Sequence, residues 1–163
     1  MKKLGLVLST LIAFANLSLA AEVKRYPLPN NSTFPIAAAV EIKGGSLVFE
    51  SGKVPSPIDP HAKPGSPEFW GNTEQQTDSV LTQIEASLQS KGLDMSNIIK
   101  MTVFLVGDPA MSNKMDFAGF MKSYTRYFGT KEQPNLPSRS AVEVAGLAGA
   151  GMLVEIEVIA FRP

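Results

Sequence analysis

Two segments near the C-terminus constrain the fold most, because both alternate apolar and polar residues with the period of a β-strand. They are residues 136–144 and 153–161, and a glycine-rich stretch separates them. We predict that they form a β-hairpin. One face of the first strand would carry Arg139 and Glu143, and one face of the second would carry Glu155 and Glu157. Such a surface is either a cross-strand ion pair or a carboxylate-binding site with an acid–base group beside it.

The first part of the chain predicts two further strands. Residues 21–33 are polar and contain two prolines, which is typical of an extended arm. Residues 37–50 contain two short strand-like runs around Gly44 and Gly45, and this pattern predicts a second hairpin.

Two amphipathic helices flank a third strand. The first helix is predicted to begin at Asn72 or Thr73, with a glutamine completing a capping box, and to end at Gly92. Residues 98–106 are nearly all apolar and predict a central strand. The second helix is predicted to begin at Ser112 or Asn113 and to end at Gly129, with an aromatic stripe that faces the core.

The resulting order, ββ-α-β-α-ββ, predicts an α+β domain of two layers with both helices on one face of the sheet. The strands are apolar on both sides, and the helices cover only one side. We therefore expect a second subunit to cover the other face, in a homo-oligomer.

The N-terminus has the pattern of a secretory signal peptide. Lys2 and Lys3 precede an apolar run, and Ser18-Leu19-Ala20 has the small residues of a cleavage site. The run is too short to favour a membrane span. The sequence predicts a cleaved signal at residues 1–20, a single domain at 21–163, and a periplasmic protein without a membrane segment after cleavage.

Composition excludes several function classes. Removal of Lys2 and Lys3 would take the 15 basic residues to 13 against 15 acidic residues, for a net charge of −2. No basic patch favours nucleic acid or anionic lipid. The chain has no cysteine, so it has no disulfide, thiol nucleophile or cysteine-based metal site.

The remaining polar candidates have weaker patterns. A proline-rich loop at 55–71 carries His61 and Trp70, the only residues of their types, and is either a functional lid or an ordered arm. No ligand partners cluster near His61, so we predict no metal site. The glycine-rich stretch 146–151 links two strands, which is typical of a turn and not of a phosphate-binding loop.

The ordered segments resemble the RidA family, also called the YjgF or L-PSP endoribonuclease-like family. The resemblance covers roughly residues 37–161. The matching segments are Ser51-Gly52-Lys53-Val54-Pro55, Gly92-Leu93 with the strand at 99–105, Pro137-Ser138-Arg139-Ser140-Ala141-Val142-Glu143-Val144, and Val154-Glu155-Ile156-Glu157-Val158-Ile159-Ala160. The Pro-x-Arg-Ser block followed by Glu-Ile-Glu is the most family-specific pairing.

The resemblance implies a chorismate-mutase-like fold in which three subunits join their sheets into a central barrel, with ligand clefts between subunits. It also implies hydrolysis of 2-imino acids to 2-oxo acids and ammonia, without cofactor or metal. By this resemblance Arg139 matches the arginine that grips the substrate carboxylate. Glu155 matches the glutamate that orients the hydrolytic water, and Ser51 matches a serine that lines the cleft.

The sequence departs from the family pattern at three cleft positions. The aromatic residue of the first strand corresponds to Ala38 or a neighbour, the helical asparagine to Met121 or a neighbour, and the cysteine after Arg-Ser to Ala141. The loop at 58–70 is also longer than usual. These departures affect the expected substrate range more than the expected reaction type.

Two function classes therefore stay open. The first is an exported, trimeric, cofactor-free 2-imino acid deaminase with Arg139, Glu155 and Ser51 in its site. The second is a non-catalytic periplasmic trimer that binds small carboxylates or acts in proteostasis. RNA cleavage, an activity named in the history of the family, is disfavoured by the missing basic patch and the single histidine.

Overall fold

A computed structural model describes residues 20–163, and residues 1–19 of the predicted signal peptide lie outside that range. It contains six strands, three α-helices and two 3₁₀ turns, at Met95–Asn97 and Pro109–Met111. The strands are β1 (Glu22–Tyr26), β2 (Ala39–Lys43), β3 (Ser46–Lys53), β4 (Ile98–Val106), β5 (Ser138–Val144) and β6 (Val154–Arg162). The helices are α1 (Pro67–Trp70), α2 (Thr73–Gln89) and α3 (Phe117–Tyr127).

The main sheet has four strands in the order β3-β6-β4-β5. Strand β4 is parallel to β5 and antiparallel to β6, so the sheet is mixed. Strands β1 and β2 form a separate antiparallel pair. This arrangement confirms the predicted α+β class, with the strand at 98–106 inside the sheet.

The predicted C-terminal hairpin is wrong, because β5 and β6 do not pair with each other. Strand β4 lies between them and forms a ladder with each. The glycine-rich segment at 146–151 is a turn, as predicted, but it carries the chain across β4 to the far side. Alternation along a strand shows which residues share a face; it does not identify the neighbouring strand.

The predicted hairpin at 37–50 is also wrong. Strand β2 pairs with β1 and β3 pairs with β6, although Gly44 and Gly45 between them both have a positive φ. The polar arm predicted at 21–33 therefore contains a strand. Arg25 fixes this strand to the rest of the domain, since its guanidinium donates to the backbone oxygens of Leu136 and Ser96.

Helix α2 forms as predicted. Asn72 is its N-cap and makes a reciprocal capping box with Gln75, and Gly92 follows the helix with φ of +71°. Helix α3 begins later than predicted, because Asp116 and not Ser112 or Asn113 accepts the capping hydrogen bond, from the backbone N–H of Gly119. Ser112 and Asn113 instead occupy left-handed backbone positions in the preceding turn.

Helices α2 and α3 cover one face of the main sheet. The apolar stripe of α2 is fully buried, as are alternate residues of β4 and β6: Val80, Leu81, Ile84, Leu88, Met101, Val103, Leu105, Val154 and Ile156. The opposite face carries the alternate residues of the four strands that point away from the helices, and we call it the open face. It includes Phe49, whose side chain is 70% exposed, and Val142, which is 43% exposed.

Candidate functional site

Arg139 lies on the helix-covered face of the sheet. It stands opposite Met101 in the β4–β5 ladder, and Met101 is fully buried under the helices. Strand β5 is the edge strand of the sheet. The guanidinium therefore emerges between the sheet edge and helix α3.

Four aromatic rings surround this guanidinium, and we call them the aromatic cage: Tyr124, Phe120, Phe34 and Phe117. Their centroids lie 4.2, 5.0, 5.5 and 5.8 Å from Arg139 Cζ, in that order. Arg139 Nη1 also lies 3.4 Å from the Sδ atom of Met121. Aromatic faces attract a cation but leave most of its N–H donors free for an anion.

Arg139 has no carboxylate partner within residues 20–163. Every ion pair of this part of the chain joins other residues. Burial lowers the pKa of Arg139, and the neighbouring Tyr124 partly offsets that effect. Because an arginine stays charged in a protein, the cage holds a partly desolvated cation that is suited to bind a carboxylate in a bidentate fork.

Tyr124 connects this cation to the N-terminal part of the domain. Its side chain is fully buried, and its hydroxyl donates a 2.8 Å hydrogen bond to the backbone oxygen of Pro35. Burial raises the pKa of Tyr124 to about 12. The bond holds the segment that contains Phe34 over the guanidinium of Arg139.

Glu155 lies on the open face. It stands opposite Phe104 in the β4–β6 ladder, and Glu157 stands opposite Thr102 on the same face. The Glu155 carboxylate packs directly against the backbone of Gly52, because a Cβ atom added to Gly52 would overlap with Glu155 Oε1. The absence of a side chain at Gly52 therefore makes room for the carboxylate.

Ser51 is exposed and adjoins Gly52 near the end of β3, where the β3–β6 register shifts. The preceding residue, Glu50, points to the other face and is 8% exposed. It forms a 2.8 Å ion pair with Lys91 and accepts a hydrogen bond from Ser87. These contacts fix the end of β3 to helix α2 and thereby position Ser51 and Gly52.

The structure therefore brings Ser51 and Glu155 to one region and Arg139 to another. The predicted convergence of Arg139 with Glu155 on one side of the sheet is wrong within a single chain. Glu143, which shares a face with Arg139, accepts a hydrogen bond from the backbone N–H of Met115. Neither of the cross-strand ion pairs considered from the sequence, Arg139 with Glu155 or Glu157, is present.

The aromatic cage was not predicted from the sequence. The stripe on α3 was predicted to be core, and Phe120 and Tyr124 are indeed fully buried. The available sequence signal was the helical spacing of Phe117, Phe120 and Tyr124, which places three aromatic rings on one side of α3. No sequence pattern indicated Phe34 as a site residue, because it lies in an irregular segment before the first core strand.

The other sequence candidates lie elsewhere. Trp70 donates a 2.7 Å hydrogen bond to the backbone oxygen of Ala150, so the end of the proline-rich loop contacts the glycine-rich turn. His61 is exposed in that loop.

Between residues 20 and 163, no group of three His, Asp or Glu side chains is placed to hold a metal ion. No helix in the same range is long and apolar enough to cross a membrane.

Comparison with known proteins identifies the family. The family model described as endoribonuclease L-PSP matches residues 30–162. The chain belongs to this family. It is the RidA family that the motifs predicted, and the matched range includes Arg139, Glu155, Ser51 and the whole aromatic cage.

Relatives within the endoribonuclease L-PSP family align over most of their length. A RutC family protein of Pyrococcus horikoshii is 37% identical over 121 residues, which cover 74% of this chain and 83% of the relative. The protein TdcF of Escherichia coli, provisionally named a reactive intermediate deaminase, is 34% identical over 118 residues, which cover 72% of this chain and 81% of TdcF.

Solved structures of family members share the fold. A crystal structure of Escherichia coli TdcF with bound serine has a TM-score of 0.56 at 32% identity, and it covers 79% of this chain and 93% of TdcF. Yeast Mmf1 has a TM-score of 0.54 at 30% identity, with coverage of 79% and 92%. The relatives thus include a protein named for deamination of reactive intermediates.

Proposed function

We propose that this protein is an exported, homotrimeric 2-iminoalkanoate deaminase that hydrolyses 2-imino and enamine acids to 2-oxo acids and ammonia without a cofactor. The observation that carries the proposal is Arg139, a partly desolvated cation in an aromatic cage with no carboxylate partner between residues 20 and 163. Such a group binds a small carboxylate from solution. The name of the relative TdcF supports the reaction class.

Two side chains, Arg139 and Glu155, have separate roles in the proposed reaction. Arg139 holds the substrate carboxylate and fixes the orientation of the C=N bond beside it. Glu155 accepts a hydrogen bond from a water molecule and takes its proton as the oxygen attacks C2. That proton passes to the imine nitrogen and gives a carbinolamine. A second proton then moves from the new hydroxyl group to the nitrogen, the C–N bond breaks, and ammonia leaves as the C=O bond forms. General-base assistance of this kind contributes roughly 10²–10⁴-fold.

The site is composed of two subunits. Arg139 and Glu155 of one chain lie on opposite faces of the sheet, so one substrate reaches both groups only where Arg139 of one protomer meets Glu155 and Ser51 of the next. The exposed apolar side chains of the open face support this assembly, because burial of Phe49 and Val142 against another subunit is favourable. Export is supported by the signal-like pattern of residues 1–20.

The test is hydrolysis of freshly generated 2-imino acids by purified protein lacking residues 1–20, beside two arginine variants. Arg139→Ala removes the proposed carboxylate anchor. Arg126→Ala is the matched control, because Arg126 lies on the outer side of α3 and pairs with Glu74 and Asp78. We expect kcat/KM to fall on the order of 10²-fold or more for Arg139→Ala and to stay near wild type for Arg126→Ala. Hydrolysis that is indifferent to Arg139→Ala excludes the proposal.

One observation favours the second candidate function, a trimer that binds small carboxylates or acts in proteostasis without catalysis. The resemblance places the polar asparagine of the family's cleft at Met121 or a neighbour, and the sulfur of Met121 contacts Arg139. A cleft with fewer polar groups retains its affinity for carboxylates more easily than its ability to orient water. Calorimetric binding of 2-oxo acids without turnover of any imine would establish this alternative.

A further inference from the structure

A surface groove of about 260 Å³ begins beside the aromatic cage. Its walls are largely apolar and come from the N-terminal segment and from the residues that precede β5: Tyr26, Leu28, Phe34, Ile36, Pro134 and Leu136. Leu136 is three residues before Arg139, and Ala37 in the same groove bridges to Ser138. The groove therefore adjoins the strand that positions the guanidinium.

Phe34 belongs to both the groove and the cage. Its ring lines the groove and has its centroid 5.5 Å from Arg139 Cζ. It also stacks on Phe117, with centroids 6.4 Å apart and an interplanar angle of 18°. Phe34 thus lies at the boundary between the guanidinium and the groove, so a ligand whose carboxylate sits on Arg139 would have this ring beside its side chain.

The position of Phe34 is fixed before any ligand binds. Its backbone N–H donates to Ser32 Oγ at 3.3 Å, and its backbone oxygen accepts from the N–H of Ile36 at 2.8 Å. The next residue, Pro35, accepts the hydrogen bond from the buried Tyr124 hydroxyl. A preformed apolar wall binds a side chain without the entropic cost of ordering a loop.

The one cation in the lining of the groove is already engaged. Arg25 Nη1 and Nη2 donate to the backbone oxygens of Leu136 and Ser96, at 3.1 and 2.9 Å. Arg25 thus holds the walls together, and a second carboxylate on the ligand would compete with both carbonyls for its donors. The groove therefore favours an apolar over an anionic ligand side chain.

We propose that this groove is a side-chain subsite for an aromatic 2-imino or 2-oxo acid, and that Phe34 is its specificity-determining residue. The proposal rests on the carboxylate-binding role of Arg139 in the proposed function. An aromatic ligand side chain can pack against the Phe34 ring in the offset or edge-to-face geometry that aromatic pairs prefer. A ligand whose side chain is only a methyl group, such as pyruvate, leaves most of the groove filled with water.

The test is the affinity of two unreactive product acids, phenylpyruvate and pyruvate, measured by calorimetry. Wild type is compared with Phe34→Ala, with Phe34→Leu, which keeps an apolar wall without an aromatic ring, and with Met111→Ala. Met111 is an exposed apolar residue, 48% accessible, in a turn that contributes nothing to the groove. Circular dichroism and light scattering establish that each variant folds and assembles as wild type does.

We expect wild type and Met111→Ala to bind phenylpyruvate roughly tenfold or more tightly than pyruvate, from the additional apolar area that is buried. Phe34→Ala should lose that preference, because its affinity for phenylpyruvate falls more than its affinity for pyruvate, and Phe34→Leu should keep part of the preference. No preference in wild type, or an unchanged preference in Phe34→Ala, overturns the proposal.

The calorimetric preference and the hydrolysis assay together distinguish the subsite from the deaminase function. A preference that depends on Phe34, without hydrolysis of any imine, leaves the subsite standing and removes the deaminase. Hydrolysis that depends on Arg139, without a preference between the two acids, leaves the deaminase and removes the subsite. Failure of both acids to bind removes the subsite, whereas the deaminase is decided by the hydrolysis assay alone.

Discussion

Arg139 and Glu155 lie on opposite faces of the same four-stranded sheet. Arg139 stands opposite Met101, which is buried beneath helices α2 and α3, whereas Glu155 stands opposite Phe104 on the open face. The two residues that the family resemblance joins in one site are thus separated by the thickness of the sheet within a chain. A shared substrate requires two chains, and this requirement makes assembly part of the catalytic hypothesis.

Gly52 gives a direct test of the position of Glu155. A Cβ atom at Gly52 would overlap with the Glu155 carboxylate, so Gly52→Ala should displace the carboxylate by about the size of a methyl group. A displacement of this kind reduces orientation of the water, and we expect kcat to fall roughly 10-fold to 10²-fold with little change in KM.

The matched control for this variant is Gly146→Ala. A Cβ atom at Gly146 would meet nothing within 4 Å, and Gly146 has no positive φ. It should therefore retain wild-type kcat and thermal stability. If Gly52→Ala also retains wild-type kcat, the carboxylate of Glu155 does not orient the water.

Tyr124 makes the stability of the domain depend on pH in the alkaline range. Burial raises its pKa to about 12 in the folded protein, above the value near 10 of an exposed tyrosine. Its contribution to stability is complete below pH 10 and is lost as the pH rises toward 12, because the unfolded chain then ionises first. The upper bound on that loss is about 2.7 kcal/mol in the free energy of unfolding.

The Tyr124→Phe variant separates this ionisation from packing. It keeps the ring of the cage but leaves the Pro35 carbonyl without its donor, so we expect a loss of about 1 kcal/mol at neutral pH. It should also have a shallower decline of stability between pH 10 and 12 in urea titrations. Burial also raises the pKa of Tyr127, so some alkaline dependence should remain. An alkaline decline as steep as in wild type would contradict the assignment to Tyr124.

Local features of this chain could be predicted from sequence, whereas the partners of its strands could not. The capping box of Asn72 with Gln75 depends on residues three positions apart, and the strand at 98–106 is marked by its nearly all-apolar sequence. The order β3-β6-β4-β5 depends on contacts between distant segments, and the paired residues of β3 and β6 are more than a hundred positions apart. A glycine-rich connection between two strand patterns is typical of a hairpin, but here it spans β4.

The same distinction between local features and contacts of distant segments applies to the candidate site. The motifs identified Arg139, Glu155 and Ser51 as the residues to examine, because each lies in a short family-specific block. Whether Arg139 and Glu155 share a face depends on how β5 and β6 each pair with β4, and their convergence on one side of the sheet was therefore predicted wrongly. Phe34 lies in an irregular segment that has no helix or strand periodicity, so only the folded structure could reveal its contact with Arg139.

The open face predicts how assembly responds to charge. Phe49 is 70% exposed on this face, and a homo-oligomer that covers the face would bury it. Phe49→Lys should therefore shift the mass measured by light scattering toward the monomer, because a buried and unpaired ammonium group is strongly unfavourable. Met111→Lys, which places the same charge on an exposed residue outside the sheet, should leave the mass unchanged. A monomeric wild-type protein at micromolar concentration would contradict the covered face.

Mixed oligomers test whether one site is shared between chains. Arg139→Ala and Glu155→Gln should each form an inactive homo-oligomer if both groups serve catalysis. When the two variants are co-expressed in equal amounts, a site between chains combines Arg139 of one variant with Glu155 of the other in about a quarter of cases. About that fraction of wild-type kcat should return.

The control mixes Arg139→Ala with the double variant Arg139→Ala/Glu155→Gln. This mixture contains no intact Arg139 and should stay inactive. If the first mixture also stays inactive while both variants assemble normally, Arg139 and Glu155 do not meet at a subunit interface, and their separation by the sheet then excludes a joint role in hydrolysis.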